Sequence, residues 1–146
     1  MKRIFLLLLL CIVMITTSSC GLLDDRESKS DILSFVTNHQ EELTECINNG
    51  DFSSLDSYRI IHSVSVDEND PLRNVEFSCG GAGMGSETAY RGFFWSEEND
   101  MTAIWCAPTG KLHSSGDGYA WMEASGDNTF YVEQICENFF YYEAEF

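Results

Sequence analysis

The stretch Thr129 to Phe146, TFYVEQICENFFYYEAEF, holds seven of the nineteen aromatic residues in this 146-residue chain. Aromatic and β-branched side chains favour strands, and large aromatic rings dominate the burial energy of a small core. We therefore expect a closing β-hairpin here, at the centre of the hydrophobic core.

The register of this hairpin divides its side chains between two faces of a sheet. Pairing Ala124 with Thr129 and Ile135 with Phe139 sets Trp121, Val132 and Tyr142 in one row. The face with this row is the predicted core face, and it also carries Phe130, Phe140, Ala144 and Phe146. The opposite face is predicted to meet solvent, and it carries Met122, Tyr131, Glu133, Tyr141, Glu143 and Glu145.

The sequence upstream predicts one helix followed by short strands. The apolar residues at helical spacing are Ile32, Phe35, Val36, Leu43, Cys46 and Ile47. Ser30 or Asp31 can cap this helix, and Asn48-Asn49-Gly50 should end it in a left-handed conformation. The expected strands are Tyr58–Val66, Asn74–Cys79, Tyr90–Ser96, Met101–Cys106, Tyr119–Ala124 and those of the closing hairpin. This order indicates an α+β fold, an N-terminal amphipathic helix packed on an antiparallel sheet of about six short strands.

The beginning of the chain has the composition of a cleaved signal peptide. Lys2 and Arg3 precede the apolar run Ile4 to Ile15, which is too short to span a bilayer, and small residues then lead to Cys20. We expect a lipoprotein-type signal peptide at residues 1–19, a lipid-anchor cysteine and flexible tether at 20–30, and a single α+β domain at 31–146. The alternative is ordinary signal-peptidase cleavage, which would give a freely secreted protein.

Three segments carry a resemblance to a known group of proteins. They are the leader with its cysteine, the run GFFWSEENDMTAIWCAP at residues 92–108, and GDNTFYVEQICENFFYYEAEF at residues 126–146. Together they resemble a group of small secreted lipoproteins of Gram-positive anaerobic bacteria. The resemblance implies a single domain on the outer side of the cell membrane, and it implies no activity.

The charge of the chain limits the partners it can bind. It has 8 Lys and Arg residues against 24 Asp and Glu residues, a formal net charge of −16. Loss of the leader would remove Lys2 and Arg3 and leave 6 basic residues against 24 acidic ones, a charge of about −18. Nucleic acids and anionic lipid surfaces reward clusters of Lys and Arg, so we expect neither as an electrostatic partner. The expected partners are the membrane, through the lipid anchor, and an extracellular protein, peptide or glycan.

Four cysteines would remain in the domain: Cys46, Cys79, Cys106 and Cys136. An even number in an exported chain favours disulfides, and the lack of closely spaced pairs argues against a zinc site. If the strands form an up-and-down meander, all four cysteines lie at one end of the sheet, where three connectivities are open. We expect Cys79 to bond Cys106 and Cys46 to bond Cys136, the second pair joining the helix to the closing hairpin.

Few residues suggest catalysis. Glu133 and Glu143 would be diagonal neighbours about 7 Å apart, and paired carboxylates beside tyrosines are typical of glycosidases. Alternating Glu on the solvent face of a strand is also ordinary in an acidic protein, and we expect that simpler explanation. A strand at Met101–Cys106 would set Trp95 and Trp105 on opposite faces, which argues against a single platform of all three tryptophans and leaves open that one of them is exposed. We expect no metal site and no cofactor.

The combined expectation is a bacterial cell-surface lipoprotein, anchored by lipid on Cys20, that acts as a non-catalytic binding module. Its candidate binding face consists of Tyr131, Glu133, Tyr141 and Glu143. Two alternatives remain open. One is a secreted glycan hydrolase that uses Glu133 and Glu143, and the other is an acidic inhibitor or immunity-type protein that captures a basic partner.

Overall fold

The computed structural model describes residues 27–66, 74–84 and 87–146. The predicted signal peptide, Cys20 and most of the predicted tether lie outside these ranges. The described residues form a helix α1 (Lys29–Asn49), a 3₁₀ helix (Ser53–Ser57) and the strands β1 (Ser63–Val66), β2 (Asn74–Met84), β3 (Glu87–Ser96), β4 (His113–Ser115), β5 (Gly118–Met122), β6 (Thr129–Cys136) and β7 (Phe139–Glu145). The α+β class is confirmed, with one helix on an antiparallel sheet that has seven strands where about six were predicted.

Helix α1 has caps at both ends. The Ser28 side chain accepts a hydrogen bond from the Asp31 N–H at 3.2 Å, so the cap precedes both predicted candidates. Gly50, at φ 68°, ends the helix in the predicted left-handed conformation, and its N–H donates to the Cys46 carbonyl. The six buried residues of α1 are the six that the sequence placed on its apolar face, namely Ile32, Phe35, Val36, Leu43, Cys46 and Ile47.

The strands form one sheet in the order β1-β2-β3-β7-β6-β5-β4. The last strand in sequence, β7, is central and pairs with both β3 and β6. The strands therefore do not form the up-and-down meander that was assumed in placing the four cysteines at one end of the sheet. The closing hairpin, β6 and β7, pairs with β3 through β7. Residues 97–112, which we call the crossing segment, connect β3 to β4, and β4 lies at the edge of the sheet opposite β1.

The predicted strand Met101–Cys106 does not form. Asn99 has a positive φ of 56°, and the Asp100 carboxylate accepts hydrogen bonds from the N–H and hydroxyl of Thr102, both at 2.8 Å. These contacts turn the chain out of the sheet. The edge of β3 that such a strand would have used is occupied by β7, where Trp95 pairs with Phe139.

Both faces of the sheet are covered. On the helix-side face, α1 packs over buried residues that include the stacked rings of Phe77 and Phe93, whose centroids lie 4.6 Å apart. On the loop-side face, the crossing segment packs over a second cluster and contributes Met101, Ala103, Ile104, Cys106, Ala107 and Leu112. This second cluster contains the predicted core residues Phe130, Val132, Phe140, Tyr142 and Ala144, with Trp121 and Phe146 packed against it. The predicted core face is thus confirmed as one of two.

The register of the closing strands differs by small shifts from the prediction. Thr129 pairs with Met122 in place of Ala124, and Phe139 pairs with Cys136 after a register shift that follows Gln134. Trp121 consequently pairs with Phe130 and not with Val132, although it stays on the predicted face. The shift after Gln134 is a β-bulge, which leaves Ile135 out of the ladder. The residues before the bulge keep their side chains on the predicted faces of the sheet.

Candidate functional site

The predicted binding face is covered by the N-terminal turn of α1. Tyr141 is fully buried and Glu133 is 6% exposed, whereas Tyr131 and Glu143 are half-buried. The Lys29 ammonium lies 4.6 Å from the centroid of the Tyr131 ring. The prediction that these residues face solvent is wrong for Glu133 and Tyr141, because the helix covers this face of the sheet.

Glu133 and Glu143 are diagonal neighbours, as predicted, but each is held in an ion pair. Lys29 Nζ lies 2.5 Å from Glu133 Oε2. Arg91 Nη2 lies 2.8 Å from Glu143 Oε1. The hydroxyl of a neighbouring tyrosine also donates to each carboxylate. These contacts serve to attach α1 and β3 to the closing hairpin, and they leave Glu133 without access to a substrate.

The four cysteines of the domain are free thiols. Cys79 lies in the helix-side cluster and Cys106 in the loop-side cluster, so the sheet separates the two residues of one predicted disulfide. Burial raises the pKa of both thiols to about 12. They behave as buried apolar side chains, and neither predicted disulfide is present. No group of three or more His, Cys, Asp or Glu in the described ranges is arranged to hold a metal ion.

Among the described residues, Trp105 is the large aromatic side chain with the highest exposure. It is 64% exposed, although it belongs to the segment that covers the loop-side face. Its ring contacts Tyr90 edge-on at 5.6 Å and Phe146 at 6.1 Å. Its Nε1 donates a hydrogen bond to Glu76 Oε2 at 2.9 Å. The indole is therefore exposed yet fixed in orientation.

Glu76 is a half-buried carboxylate held by two neutral donors. Besides the Trp105 indole, the Tyr142 hydroxyl donates to its Oε1 at 2.5 Å. Burial, followed by the negative charge of Glu76, raises the pKa of both Tyr142 and Cys106. No Lys, Arg or His among residues 27–66, 74–84 and 87–146 forms an ion pair with Glu76.

A groove of about 570 Å³ runs beside Trp105, and we call it the Glu76 groove. It is lined by Ser65, Val66, Asn74, Val75, Glu76, Phe94, Thr102, Ala103, Ile104 and Trp105. One wall is the edge strand β1 and the other is the segment that begins the crossing. A smaller cleft of about 280 Å³ lies on the other side of Trp105, against Pro108, Trp121 and Phe146. Trp105 thus stands as a ridge between two depressions.

No pattern in the sequence indicates this site. If Met101–Cys106 were a strand paired with β3, Trp105 would lie opposite Gly92, but Tyr142 fills that space and would lie 3.0 Å from a Cβ at Gly92. Glu76 and Trp105 are 29 residues apart and meet only because the segment after β3 folds back over the sheet. Trp95 and Trp105 do lie on opposite faces of the sheet, as predicted. The reason is that the crossing segment places Trp105 over the loop-side face, and not that side chains alternate along a strand.

No helix in the described part of the chain is long and apolar enough to cross a membrane. Comparison with protein families, curated proteins and solved structures finds no match to this chain.

Proposed function

We propose that this protein is a cell-surface lipoprotein that binds an extracellular ligand, without catalysis, in the Glu76 groove beside Trp105. The observation that carries the proposal is an indole 64% exposed and held at a fixed orientation by a hydrogen bond to Glu76. Exposed apolar surface rimmed by polar groups is typical of interaction sites, and tryptophan is enriched among the residues that dominate binding energy.

The groove is built for binding with little loss of entropy. Trp105 lies on a connecting segment, but Glu76 on β2 and Tyr142 on β7 fix its position through a chain of two hydrogen bonds. A side chain that is already ordered does not lose its rotamer freedom when a ligand arrives. More of the contact energy therefore appears as affinity.

The residues of the groove favour binding over hydrolysis. Among the described residues that line it, Glu76 is the one acidic side chain, whereas glycosidases of the common type need a pair of carboxyl groups across the scissile bond. The other pair considered, Glu133 and Glu143, is occupied by Lys29 and Arg91. These contacts support a binding module over the hydrolase alternative.

Attachment to the membrane through lipid on Cys20 is part of this proposal and is supported by the leader sequence. A basic n-region, an apolar run and small residues before Cys20 are the features on which it depends. Residues 1–26 lie outside the described ranges.

A binding experiment with matched variants tests the proposal. We would express the chain from residue 20 onward with Cys20→Ser and measure its binding to two probes, a soluble cell-wall polysaccharide and a basic polypeptide. Trp105→Ala should weaken binding to at least one probe by about 30-fold, which corresponds to a binding hot spot. Met122→Ala is the control, because Met122 is 71% exposed but lies on the helix-side face, away from the groove. Equal binding by the two variants would contradict the proposal.

A further inference from the structure

We propose that the ligand of the Glu76 groove is a basic polypeptide, one arginine or lysine of which lies against the Trp105 ring and pairs with Glu76. This inference rests on the binding function proposed above and names the chemistry of the ligand. It also selects a polypeptide over a glycan as the occupant.

The first argument is the unequal treatment of three carboxylates on the sheet. Glu133 is paired with Lys29 and Glu143 with Arg91. Glu76 receives hydrogen bonds from an indole and a phenol, which are neutral. These donors hold the carboxylate in place without cancelling its charge. A ligand cation in the groove would supply the opposite charge that the other two carboxylates find within the protein.

The second argument is the position of the aromatic ring. The distance of 2.9 Å between Trp105 Nε1 and Glu76 Oε2 sets the edge of the indole directly beside the carboxylate. A cation attracted to the face of a tryptophan ring can then reach the carboxylate as well. A planar guanidinium suits both contacts, because it stacks on aromatic rings and donates several hydrogen bonds.

The third argument concerns the wall formed by β1. This strand is at the edge of the sheet and pairs only with β2 in the described part of the chain. Ser65 and Val66 of β1 line the groove, and Val66 is 41% exposed. An extended peptide can run along such an edge, which a free cation or a glycan would not exploit.

The charge of the whole protein agrees with a basic partner. A formal net charge of −16 attracts basic polypeptides and repels acidic ones over distances longer than direct contact. This long-range attraction acts over the whole surface of the protein, so it does not by itself select a binding position. The combination of Trp105 and Glu76 is what directs the partner to one groove.

The test follows the indole N–H signal of Trp105 by NMR in the soluble Cys20→Ser protein, with Trp105→Phe used to assign it. Three probes are titrated at physiological ionic strength: a short arginine-bearing peptide, the same peptide with neutral citrulline in place of arginine, and a cell-wall oligosaccharide. The arginine peptide should shift the Trp105 signal, and the citrulline peptide should not.

Two charge variants separate local from general effects. Glu76→Gln keeps an oxygen to accept from Trp105 and an amide to donate to Tyr142, and it should weaken binding of the arginine peptide about tenfold. Glu45→Gln removes the same charge from an exposed position on α1, across the sheet, and should leave the affinity nearly unchanged.

The outcomes distinguish this inference from the function on which it rests. Equal binding of the arginine and citrulline peptides, or equal effects of the two Glu variants, would show that the cation pair is wrong. A Trp105 shift with the oligosaccharide alone would also overturn the basic partner, while the binding function would stand. Absence of any Trp105-dependent binding would overturn both.

Discussion

Replacing Lys29 by Met is expected to destabilise this protein more than replacing Glu133 by Gln, although both changes break the same ion pair. The reason lies in the exposure of the two side chains, which is 38% for Lys29 and 6% for Glu133. Without Lys29 the carboxylate stays buried with a tyrosine hydroxyl as its remaining donor. Without the Glu133 charge the ammonium can still reach water.

The expected magnitudes follow from that asymmetry. Removing one partner of a fully buried pair costs about 3–5 kcal/mol, and access of water beside Lys29 reduces this to about 2 kcal/mol for Lys29→Met. Glu133→Gln should cost about 1 kcal/mol, the net value of a typical intramolecular hydrogen bond, because the Lys29 ammonium that loses its partner can still reach water. At about 4 °C per kcal/mol, the melting temperature should fall by about 8 °C and about 4 °C. The double variant should lie close to Glu133→Gln.

The stability conferred by Lys29 should also depend on pH. Burial lowers the pKa of Lys29, but hydrogen bonds to Glu133 and Tyr131 and the charge of Glu133 outweigh it, so the pKa lies above its ordinary value of 10.5. A cation with a raised folded pKa stabilises fully below its unfolded pKa and loses this stabilisation as the pH rises through the folded value. The difference between wild type and Lys29→Met should be constant up to about pH 9 and shrink above about pH 10.5.

Urea denaturation followed by circular dichroism measures these differences across pH. An equal or greater loss for Glu133→Gln would refute the assignment of Glu133 as the buried partner. A difference between wild type and Lys29→Met that does not shrink as the pH is raised above about 10.5 would refute the role of the ammonium charge, and would leave loss of packing as the cause.

Three further predictions concern the sheet, the thiols and the anchor. Gly92→Ala should cost about 3 kcal/mol, because its Cβ would lie 2.3 Å from the Phe77 carbonyl oxygen; urea denaturation would measure it, and a loss below 1 kcal/mol would show that β2 and β3 can separate. In native protein at pH 8, iodoacetamide should label Cys136 before Cys79 and Cys106, whose pKa is about 12, and denaturation without reductant should expose every thiol; thiols found only after reduction would indicate the disulfides expected from the sequence. Cys20→Ser should move the protein from the membrane fraction to the medium, and unchanged fractionation would contradict the lipid anchor.

The parts of the fold that the sequence predicted are those that depend on neighbours along the chain. The apolar face of α1 and its end at Gly50 follow from helical spacing and from the freedom of glycine at positive φ. The alternation of Phe130 and Val132 with Tyr131 and Glu133 correctly separated two faces. Helical spacing, a helix end at glycine and alternation along a strand each depend on a few consecutive residues, so they can be predicted without knowing which distant segment packs against them.

The errors arose where two segments compete for one position. Met101–Cys106 has the composition of a strand, but β7 pairs with β3 from Ala89 to Trp95 and occupies the edge that this segment needed. The sequence did contain evidence against a solvent-exposed second face, namely the aromatic residues on the face of the hairpin opposite the predicted core face. Tyr131 and Tyr141 on the supposed solvent face indicate that this face is also covered, and α1 covers it.

The central position of β7 has a consequence for how the protein is made. Strand β7 lies between two sets of three strands, β1-β2-β3 and β4-β5-β6, and pairs with both. Its residue Tyr141, for example, pairs with Phe93 of β3 on one side and with Glu133 of β6 on the other. Because β7 follows every other described strand along the chain, neither β3 nor β6 can complete its hydrogen bonds until β7 has been synthesised. The complete sheet, and with it the core on both faces, is therefore expected to form only after β7 has been made.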